Sequence, residues 1–356
     1  MNTEEKIKNI TIQPEIPLIE ALKLMDKLDK KLLIVKSDDK FIGLLSIGDI
    51  QRAIIKNIQL NTQVSNILRE NIKVASEEDD FEKIKNIMFQ YRTECLPVLN
   101  KNNELVTVFF WEDIFTNRSI SLNKDINIPL VIMAGGKGTR LKPFSNIIPK
   151  PLFPFGEKTI IETIIEKFIN YNIPVVYISV NHKSEMIKQY LSENISPDIN
   201  IQYIDESIPL GTAGSLHFLK NKISSDFFVS NCDIIIEQDY NEIYNYHKEN
   251  NNDLTVVAAL KHFKIPYGTI ETGENGLLLN IIEKPEFTHK INSGMYILKP
   301  ELLSLIPENK HYHITELIET ISKNGSRVGV FPVSEKSWID IGVWEEYKKN
   351  LGDFDY

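Results

Sequence analysis

The chain is poor in cysteine, and its two cysteines, Cys95 and Cys232, lie far apart in the sequence. Neither has a partner at the spacing of a zinc site, and secreted disulfide frameworks use several cysteines at short spacing. We therefore expect two buried free thiols in a reducing compartment.

Long apolar runs are also missing. No stretch approaches the roughly 18 apolar residues that a membrane-crossing helix needs. The N-terminus, Met1 to Lys6, lacks the apolar region of a secretion signal. The sequence therefore predicts a cytoplasmic protein without a membrane span.

Positive charge is in deficit. The 40 lysines and arginines are outnumbered by 49 aspartates and glutamates, which gives a net charge of −9 over 356 residues. Nucleic-acid binding usually needs a basic face, so we expect no nucleic-acid partner. Any site for a phosphorylated ligand must concentrate its positive charge locally.

Glycine and histidine are nearly absent from the first third of the chain. Only Gly43 and Gly48, of 16 glycines, precede residue 130, and all seven histidines follow it. The length allows two or three domains. This uneven composition indicates that the two parts of the chain differ in kind.

The first 120 residues contain an internal repeat at an offset of 64. Leu33–Val35 matches Pro97–Leu99, and Ser46–Ile50 matches Phe110–Ile114. Each copy reads as a helix, a strand, a polar turn and a second strand. A further helix then begins, opened in the two copies by Asp49 and Asp113 as N-caps. We assign repeat 1 to residues 1–63, repeat 2 to 64–120 and a linker to 121–128.

This repeat resembles a tandem pair of CBS domains. The resemblance implies that Ser46 and Asp49 bind an adenine nucleotide, with Asp113 as the second-copy counterpart of Asp49. Phe110 stands where the second copy would need a hydroxyl. The alternative is that both aspartates only cap helices and the module only assembles. CBS pairs commonly associate, so a homo-oligomer is expected in either case.

A glycine-rich loop follows the linker. The apolar run Leu130 to Ala134 predicts a buried strand, and Gly135, Gly136 and Gly138 follow it. Closely spaced glycines let the backbone approach a phosphate. A dinucleotide fingerprint would need a third glycine where Leu141 stands, and a P-loop needs a hydroxyl residue after Lys137. Neither of these motifs fits.

From this loop onward the pattern alternates strands and helices. It predicts a doubly wound, Rossmann-like α/β domain with a mixed sheet over residues 129–356. A second small-residue loop, Pro209–Ser215, and a strand that ends at Asp233 both follow later in the chain. Ligands bind at the carboxyl ends of such strands. A carboxylate there, beside a phosphate loop, is suited to Mg²⁺.

The stretch from Gly135 to Phe153, with Arg140 and Pro149-Lys150-Pro151, resembles the signature of sugar-nucleotide pyrophosphorylases, and the likeness extends over roughly residues 128–350. It implies transfer of a nucleotide from a nucleoside triphosphate to a sugar 1-phosphate, with Mg²⁺ as cofactor. The residues it implies for the nucleotide are Met133, Ala134, Gly135, Gly136, Gly138, Thr139, Leu210, Gly211 and Thr212. Those it implies for the sugar phosphate are Gly268, Glu283, Lys284 and Asn292. The implied metal ligands are Asp233 and Asp340, and the implied catalytic cations are Arg140, Lys150 and Lys284.

The order of the two parts resembles the glucosamine-1-phosphate guanylyltransferases of bacterial legionaminic acid synthesis, which favours GTP. Mannose-1-phosphate guanylyltransferase, or another NDP-sugar pyrophosphorylase, is the alternative. A different class is a non-catalytic nucleotide sensor in which the CBS pair does the work. His289, His311 and His313 show no metal-ligand spacing, so we expect them at the surface or behind the site.

Overall fold

The computed structural model describes residues 7–28, 30–38, 40–69, 72–91, 93, 95–110, 126–342 and 347. The chain divides into two compact units, 1–122 and 123–356. Within the described residues, no helix combines the length and apolar character needed to cross a membrane. Cys95 and Cys232 are both buried thiols that form no disulfide bond.

The first unit contains two copies of one supersecondary arrangement. In each copy a short strand pairs in parallel with the first strand of an antiparallel hairpin. Its strands are β1 (Thr11–Ile12), β2 (Leu32–Ser37), β3 (Lys40–Ser46), β4 (Ala75–Ser76), β5 (Cys95–Leu99) and β6 (Leu105–Phe110). Its helices are α1 (Leu18–Leu28), α2 (Ile47–Ile55) and α3 (Phe81–Tyr91).

The two hairpins of this unit differ in register. Leu33 faces Leu45 in the first copy, but Pro97 faces Val108 in the second. The offset of 64 would place Phe109 opposite Pro97, so the predicted match is wrong by one residue for one strand. The connection explains the slip, because 11 residues separate Leu33 from Leu45 but only 10 separate Pro97 from Val108. Asp113 lies outside the described residues.

The second unit is built on a seven-stranded mixed sheet with the order β11-β10-β7-β12-β17-β14-β18. Only β17 runs antiparallel to its neighbours. The predicted doubly wound α/β fold is confirmed. The strands are β7 (Leu130–Met133), β8 (Pro154–Phe155), β9 (Lys158–Thr159), β10 (Val176–Val180), β11 (Ile201–Asp205), β12 (Phe227–Asn231), β13 (Ile234–Ile236), β14 (Leu254–Lys264), β15 (Thr269–Thr272), β16 (Leu278–Ile282), β17 (Glu286–Leu298), β18 (Val328–Val333) and β19 (Trp338–Asp340). The helices are α4 (Ile160–Ile169), α5 (Ser184–Asn194), α6 (Tyr240–Glu249) and α7 (Ile314–Lys323).

Local sequence explains the elements that frame the site. All four residues of β7 and all five of β10 are buried, as expected for central strands covered on both faces. Helix α4 begins with a capping box between Thr159 and Glu162. Strand order reverses at β7, with β10 on one side and β12 on the other. The carboxyl ends of β7 and β12 therefore flank the crevice where open α/β sheets bind ligands.

One buried histidine gives the second unit a pH-dependent stability. His247 on α6 is 1% exposed, and its Nδ1 lies 2.8 Å from the Thr255 hydroxyl. Burial, with a smaller effect from Lys299 and against Asp253, lowers its pKa from 6.5 to about 4. Asp226 Oδ2 lies 3.7 Å from Nε2. The folded chain therefore resists a proton that the unfolded chain accepts below pH 6.5.

We expect the free energy of unfolding to fall by up to about 3 kcal/mol between pH 6.5 and 4, from the proton uptake of His247 on unfolding. Urea unfolding at several pH values measures this loss. The His247→Asn variant should be less stable at neutral pH but should lose less stability on acidification. His289→Asn, at an exposed histidine, is the matched control. An equal acid-induced loss in wild type and His247→Asn would contradict the assignment.

Candidate active site

A cavity of about 500 Å³ opens at the carboxyl ends of β7 and β12. The glycine-rich loop after β7 forms one side, the loop around Gly211 forms another, and the end of β12 forms the floor. Of the predicted residues, those that line it are Met133, Gly135, Gly136, Gly138, Thr139, Arg140, Lys150, Leu210, Gly211, Thr212 and Asp233. Two separately predicted loops and a carboxylate thus meet in one crevice.

The glycine-rich loop after β7 has two positions at which a side chain would be crowded. Gly138 has a φ of 61°, in the left-handed region, and a Cβ there would lie 3.2 Å from the Cβ atoms of Ser145 and Lys150. A Cβ on Gly135 would lie 2.8 Å from a carboxylate oxygen of Glu206. The loop therefore needs glycine at these two positions, and it lines the cavity together with Lys150.

Two carboxylates and a lysine converge at the other side of the loop. Lys150 forms an ion pair with Asp233, and both side chains are largely buried. Pairing of β13 with β19 sets Ile234 opposite Asp340. A Cβ on Gly342 would lie 2.7 Å from Asp340 Oδ1, 3.0 Å from Asp233 Oδ2 and 3.4 Å from Lys150 Nζ. The three charged groups therefore surround one point.

The charge balance at that point fits a divalent cation. Burial, assisted by the Asp233 charge, raises the pKa of Asp340, against the Gly342 amide and the charges of Lys150 and Arg140. A cation between two carboxylates relieves such repulsion. Within the described residues, no three His, Cys, Asp or Glu side chains gather as a metal-binding cluster. Mg²⁺ often binds through one or two carboxylates and completes its shell with water and substrate phosphates.

The other predicted residues lie outside the cavity lining. Gly268 adjoins Glu283, whose Oε2 would lie 2.9 Å from a Cβ at position 268, and Lys284 follows with a φ of 46°. Asn292 accepts hydrogen bonds from the Gly294 amide at 3.1 Å and the Tyr296 hydroxyl at 2.9 Å. Ala134 is buried behind the loop. The proposed roles of these residues in binding stay predictions.

The loop around Gly211 is fastened to a segment far along the chain. The Tyr312 carbonyl accepts hydrogen bonds from the Ala213 and Gly214 amides at 3.0 and 3.1 Å. A Cβ on Gly211, whose φ is 81°, would lie 2.7 Å from that carbonyl. The contact carries His311 and His313 into the cavity lining. Both histidines are exposed, as expected of surface residues, but they also line the cavity, which the sequence did not indicate.

Sequence reasoning also missed Glu206, which lines the cavity although it is only 7% exposed. Its Oε2 accepts a hydrogen bond from the Leu210 amide at 3.0 Å, and its Oε1 accepts one from the Ser179 hydroxyl. Each carboxylate oxygen has lone pairs left for a ligand. A carboxylate directly after β11, four residues before Leu210, was the available signal.

In the first unit, Ser46 and Asp49 lie together at the start of α2. Ser46 caps the helix, and its amide and hydroxyl donate to Asp49 Oδ2 at 2.8 and 2.6 Å. Arg52 and Arg69 pair with Asp49 Oδ1 at 2.5 and 2.9 Å. Ser46, and not the predicted Asp49, is therefore the N-cap. Asp49 closes the capping box and is held by two arginines. Its proposed role with an adenine nucleotide stays a prediction.

The family model described as "Nucleotidyl transferase" matches residues 130–353, a range that contains the residues lining the cavity. The chain belongs to the nucleotidyl transferase family. The family model described as "CBS domain" matches residues 5–56, which lie in the first of the two repeats.

This nucleotidyl transferase is similar to the mannose-1-phosphate guanyltransferase of Saccharomyces cerevisiae, with 34% identity over 228 residues. It is also similar to the bifunctional protein GlmU of Methanococcus maripaludis, with 34% identity over 230 residues. The matches cover 61 and 62% of this chain. They span 62 and 53% of the two relatives, which is less than two thirds of either.

Among solved structures, HddC from Yersinia pseudotuberculosis aligns with a TM-score of 0.51 and 28% identity, over 64% of this chain and 99% of that chain. The same protein complexed with GMP-PN aligns with a TM-score of 0.51 and 27% identity, over the same shares. The likeness covers the nucleotidyl transferase portion of the chain.

Proposed function

We propose that this nucleotidyl transferase is a sugar-1-phosphate guanylyltransferase, which makes a GDP-sugar and pyrophosphate from GTP and a sugar 1-phosphate. Glucosamine 1-phosphate is the favoured acceptor, since the CBS repeat before the transferase resembles enzymes of legionaminic acid synthesis. Mannose 1-phosphate is the second candidate, supported by the relatives of that name. The observation that carries the choice of base is the position of Glu206.

Glu206 offers the chemistry that guanine needs. The Watson–Crick edge of guanine presents two adjacent donors, N1–H and the N2 amino group, and a carboxylate accepts from both. Uracil, thymine, cytosine and adenine each present an acceptor beside their donor. A carboxylate in the nucleotide cavity thus favours guanine and leaves an acceptor of any other base unpaired. The GMP-PN complex of HddC agrees with this choice.

The reaction needs charge to be cancelled rather than a base. An oxygen of the sugar phosphate attacks the α-phosphorus, the bond to the bridging oxygen breaks, and pyrophosphate leaves with that electron pair. Both reactants are polyanions, and two unit charges about 4 Å apart repel by about 4 kcal/mol at an effective dielectric of 20. The phosphate dianion is already nucleophilic, so no proton must be removed. Electrostatic stabilisation and positioning therefore do most of the work.

Named groups take these tasks in the proposal. The amides of Gly135 to Thr139 hold the triphosphate, Arg140 holds the departing β and γ groups, and Lys150 neutralises charge at the α-phosphate. Lys284 receives the sugar phosphate, beside Glu283 and Asn292. Asp233 and Asp340 would hold Mg²⁺, which supplies Lewis-acid stabilisation of the phosphate charges when bound.

A pyrophosphate-release screen tests the proposal with the full-length chain and Mg²⁺. Four nucleoside triphosphates are each paired with glucosamine 1-phosphate, mannose 1-phosphate and glucose 1-phosphate. We expect GTP to exceed the other three by about 100-fold or more in kcat/KM, a difference that one or two unmet buried hydrogen bonds produce. If no substrate pair releases pyrophosphate although the protein still binds nucleotides, the proposed enzymatic activity is wrong and a non-catalytic nucleotide sensor is favoured. Repeating the active pair with AMP or ATP tests the CBS ligand.

A further inference from the structure

The hairpin formed by β15 and β16 exposes a large amount of apolar surface. It pairs with no further strand among the described residues. Every residue of β16 is exposed. The exposed large apolar side chains of the hairpin and its stem are Phe263, Tyr267, Ile270, Leu277, Leu278, Leu279, Ile281, Ile282 and Phe287, each 43–74% exposed. We call residues 267–282 the ribbon, and residues 261–264 and 283–290 its stem.

One face of the ribbon is aliphatic. Ile270 pairs with Ile281 across the strands, and Thr272, two residues along β15, pairs with Leu278 beyond an irregularity at Leu279. The opposite face mixes Glu271 and Asn280 with Ile282. Strand β16 (Leu278–Ile282) carries no charged residue, so nothing protects its free edge from pairing. A two-stranded ribbon of this kind has little stability alone in water and gains it by packing.

The apolar area that the ribbon and its stem expose is comparable with the apolar area of one side of a dimer interface. At roughly 100 Å² of apolar surface per fully exposed side chain, the nine side chains present on the order of 500 Å². Each side of a standard interface buries about 800 Å², of which about 60% is apolar. The ribbon and its stem, counted over both faces, thus expose about as much apolar surface as one side of such an interface buries.

The opposite formal charges of the ribbon and its stem favour a second copy of this chain as the partner. The stem carries Lys261, Lys264, Lys284 and Lys290 against Glu283 and Glu286, a formal charge of +2. The ribbon carries only Glu271 and Glu274, a formal charge of −2. Around a two-fold axis, two ribbons that run in opposite directions place the acidic tip of each on the basic stem of the other.

We propose that the ribbon is a docking surface for a second copy of this chain, packed aliphatic face to aliphatic face with tip against stem. This contact is separate from any assembly through the CBS repeats. It also has a consequence for the site, which rests on the proposed function. Glu283 and Lys284 lie where the ribbon joins its stem, so docking fixes the residues proposed to receive the sugar phosphate.

Sedimentation equilibrium of the full chain tests the contact. Ile281→Glu places a carboxylate in the aliphatic face and should weaken the association about 100-fold or more, so that the molar mass falls by half at micromolar concentration. Met186→Glu, at an equally apolar and 43% exposed position on α5, should leave the mass unchanged. A wild-type monomer, or the same mass for Ile281→Glu as for wild type, would overturn the proposal.

Charge reversal tests the tip-to-stem arrangement. Glu274→Lys and Lys264→Glu should each raise the dissociation constant about tenfold, and the double variant should restore it. If the two substitutions weaken the association additively in the double variant, the antiparallel arrangement is wrong. The Ile281→Glu variant should also raise KM for the sugar 1-phosphate more than KM for GTP. If no substrate pair reacts, the proposed function fails, and sedimentation still decides the interface.

Discussion

The Asp233→Asn variant should release pyrophosphate about three orders of magnitude more slowly than wild type. The substitution removes half of the negative charge that Asp233 and Asp340 would offer to Mg²⁺. It also leaves Lys150, which is 8% exposed, without its anionic partner. Asp340→Asn should act in the same direction. Lys150→Ala should lower turnover by orders of magnitude as well, because the α-phosphate charge then stays uncancelled.

The measurement that separates chemistry from folding is a magnesium titration of turnover alongside urea unfolding. For Asp233→Asn, higher Mg²⁺ should recover part of the lost rate. The unfolding midpoint should fall, because Lys150 loses its partner, but the variant should stay folded under the assay conditions. Asp198→Asn removes an exposed carboxylate from a turn in the same unit and is the matched control. Near-normal pyrophosphate release from Asp233→Asn and Lys150→Ala would rule out the assigned site.

The Glu206→Gln variant should lose about 100-fold in kcat/KM for GTP and gain relative preference for UTP. A charge-assisted hydrogen bond is worth about 1.5–3 kcal/mol, or roughly 10- to 100-fold. The glutamine amide offers one donor and one acceptor, which matches uracil better than guanine. Inside the protein its oxygen can still accept from the Leu210 amide while its nitrogen donates to the Ser179 hydroxyl. The cavity should therefore keep its shape.

Competition between GTP and UTP with one sugar 1-phosphate measures the switch as a ratio, which is independent of the amount of active enzyme. Glu185→Gln, at a side chain that is 88% exposed, controls for loss of one negative charge. An unchanged GTP-to-UTP ratio in Glu206→Gln would show that the base is read elsewhere in the cavity, with His311 and His313 as the next candidates.

The features predicted from the sequence are those that depend on neighbouring residues, such as where a strand ends. A buried strand that ends in glycines shows where β7 stops, and the same rule placed Asp233 at the end of β12. The sheet then brought both to one crevice, as open α/β sheets do. Asp340 could be paired with Asp233 only through the likeness to a known family, because 106 residues of unrelated chain separate them and a two-strand contact joins them.

The remaining features of the site depend on contacts between residues far apart in the chain, which the sequence pattern does not reveal. His311 and His313 enter the cavity because the Tyr312 carbonyl holds the Gly211 loop, and no periodicity encodes that contact. Glu206 looked like one acidic residue among 49 until its neighbours showed that it is buried beside Gly135. The repeat at offset 64 failed by one residue in one hairpin, since a change of turn length shifts strand pairing without altering the pattern of apolar residues.

The junction between the Gly211 loop and Tyr312 is made by main-chain atoms on both sides. Backbone hydrogen bonds do not depend on which side chains the segment carries. Position 311 can therefore change identity without altering these hydrogen bonds, whereas the His313 side chain also contacts the loop, with Nδ1 3.4 Å from the Thr212 hydroxyl. The fold thus allows one residue of the cavity lining to vary without changing the backbone that supports the Gly211 loop.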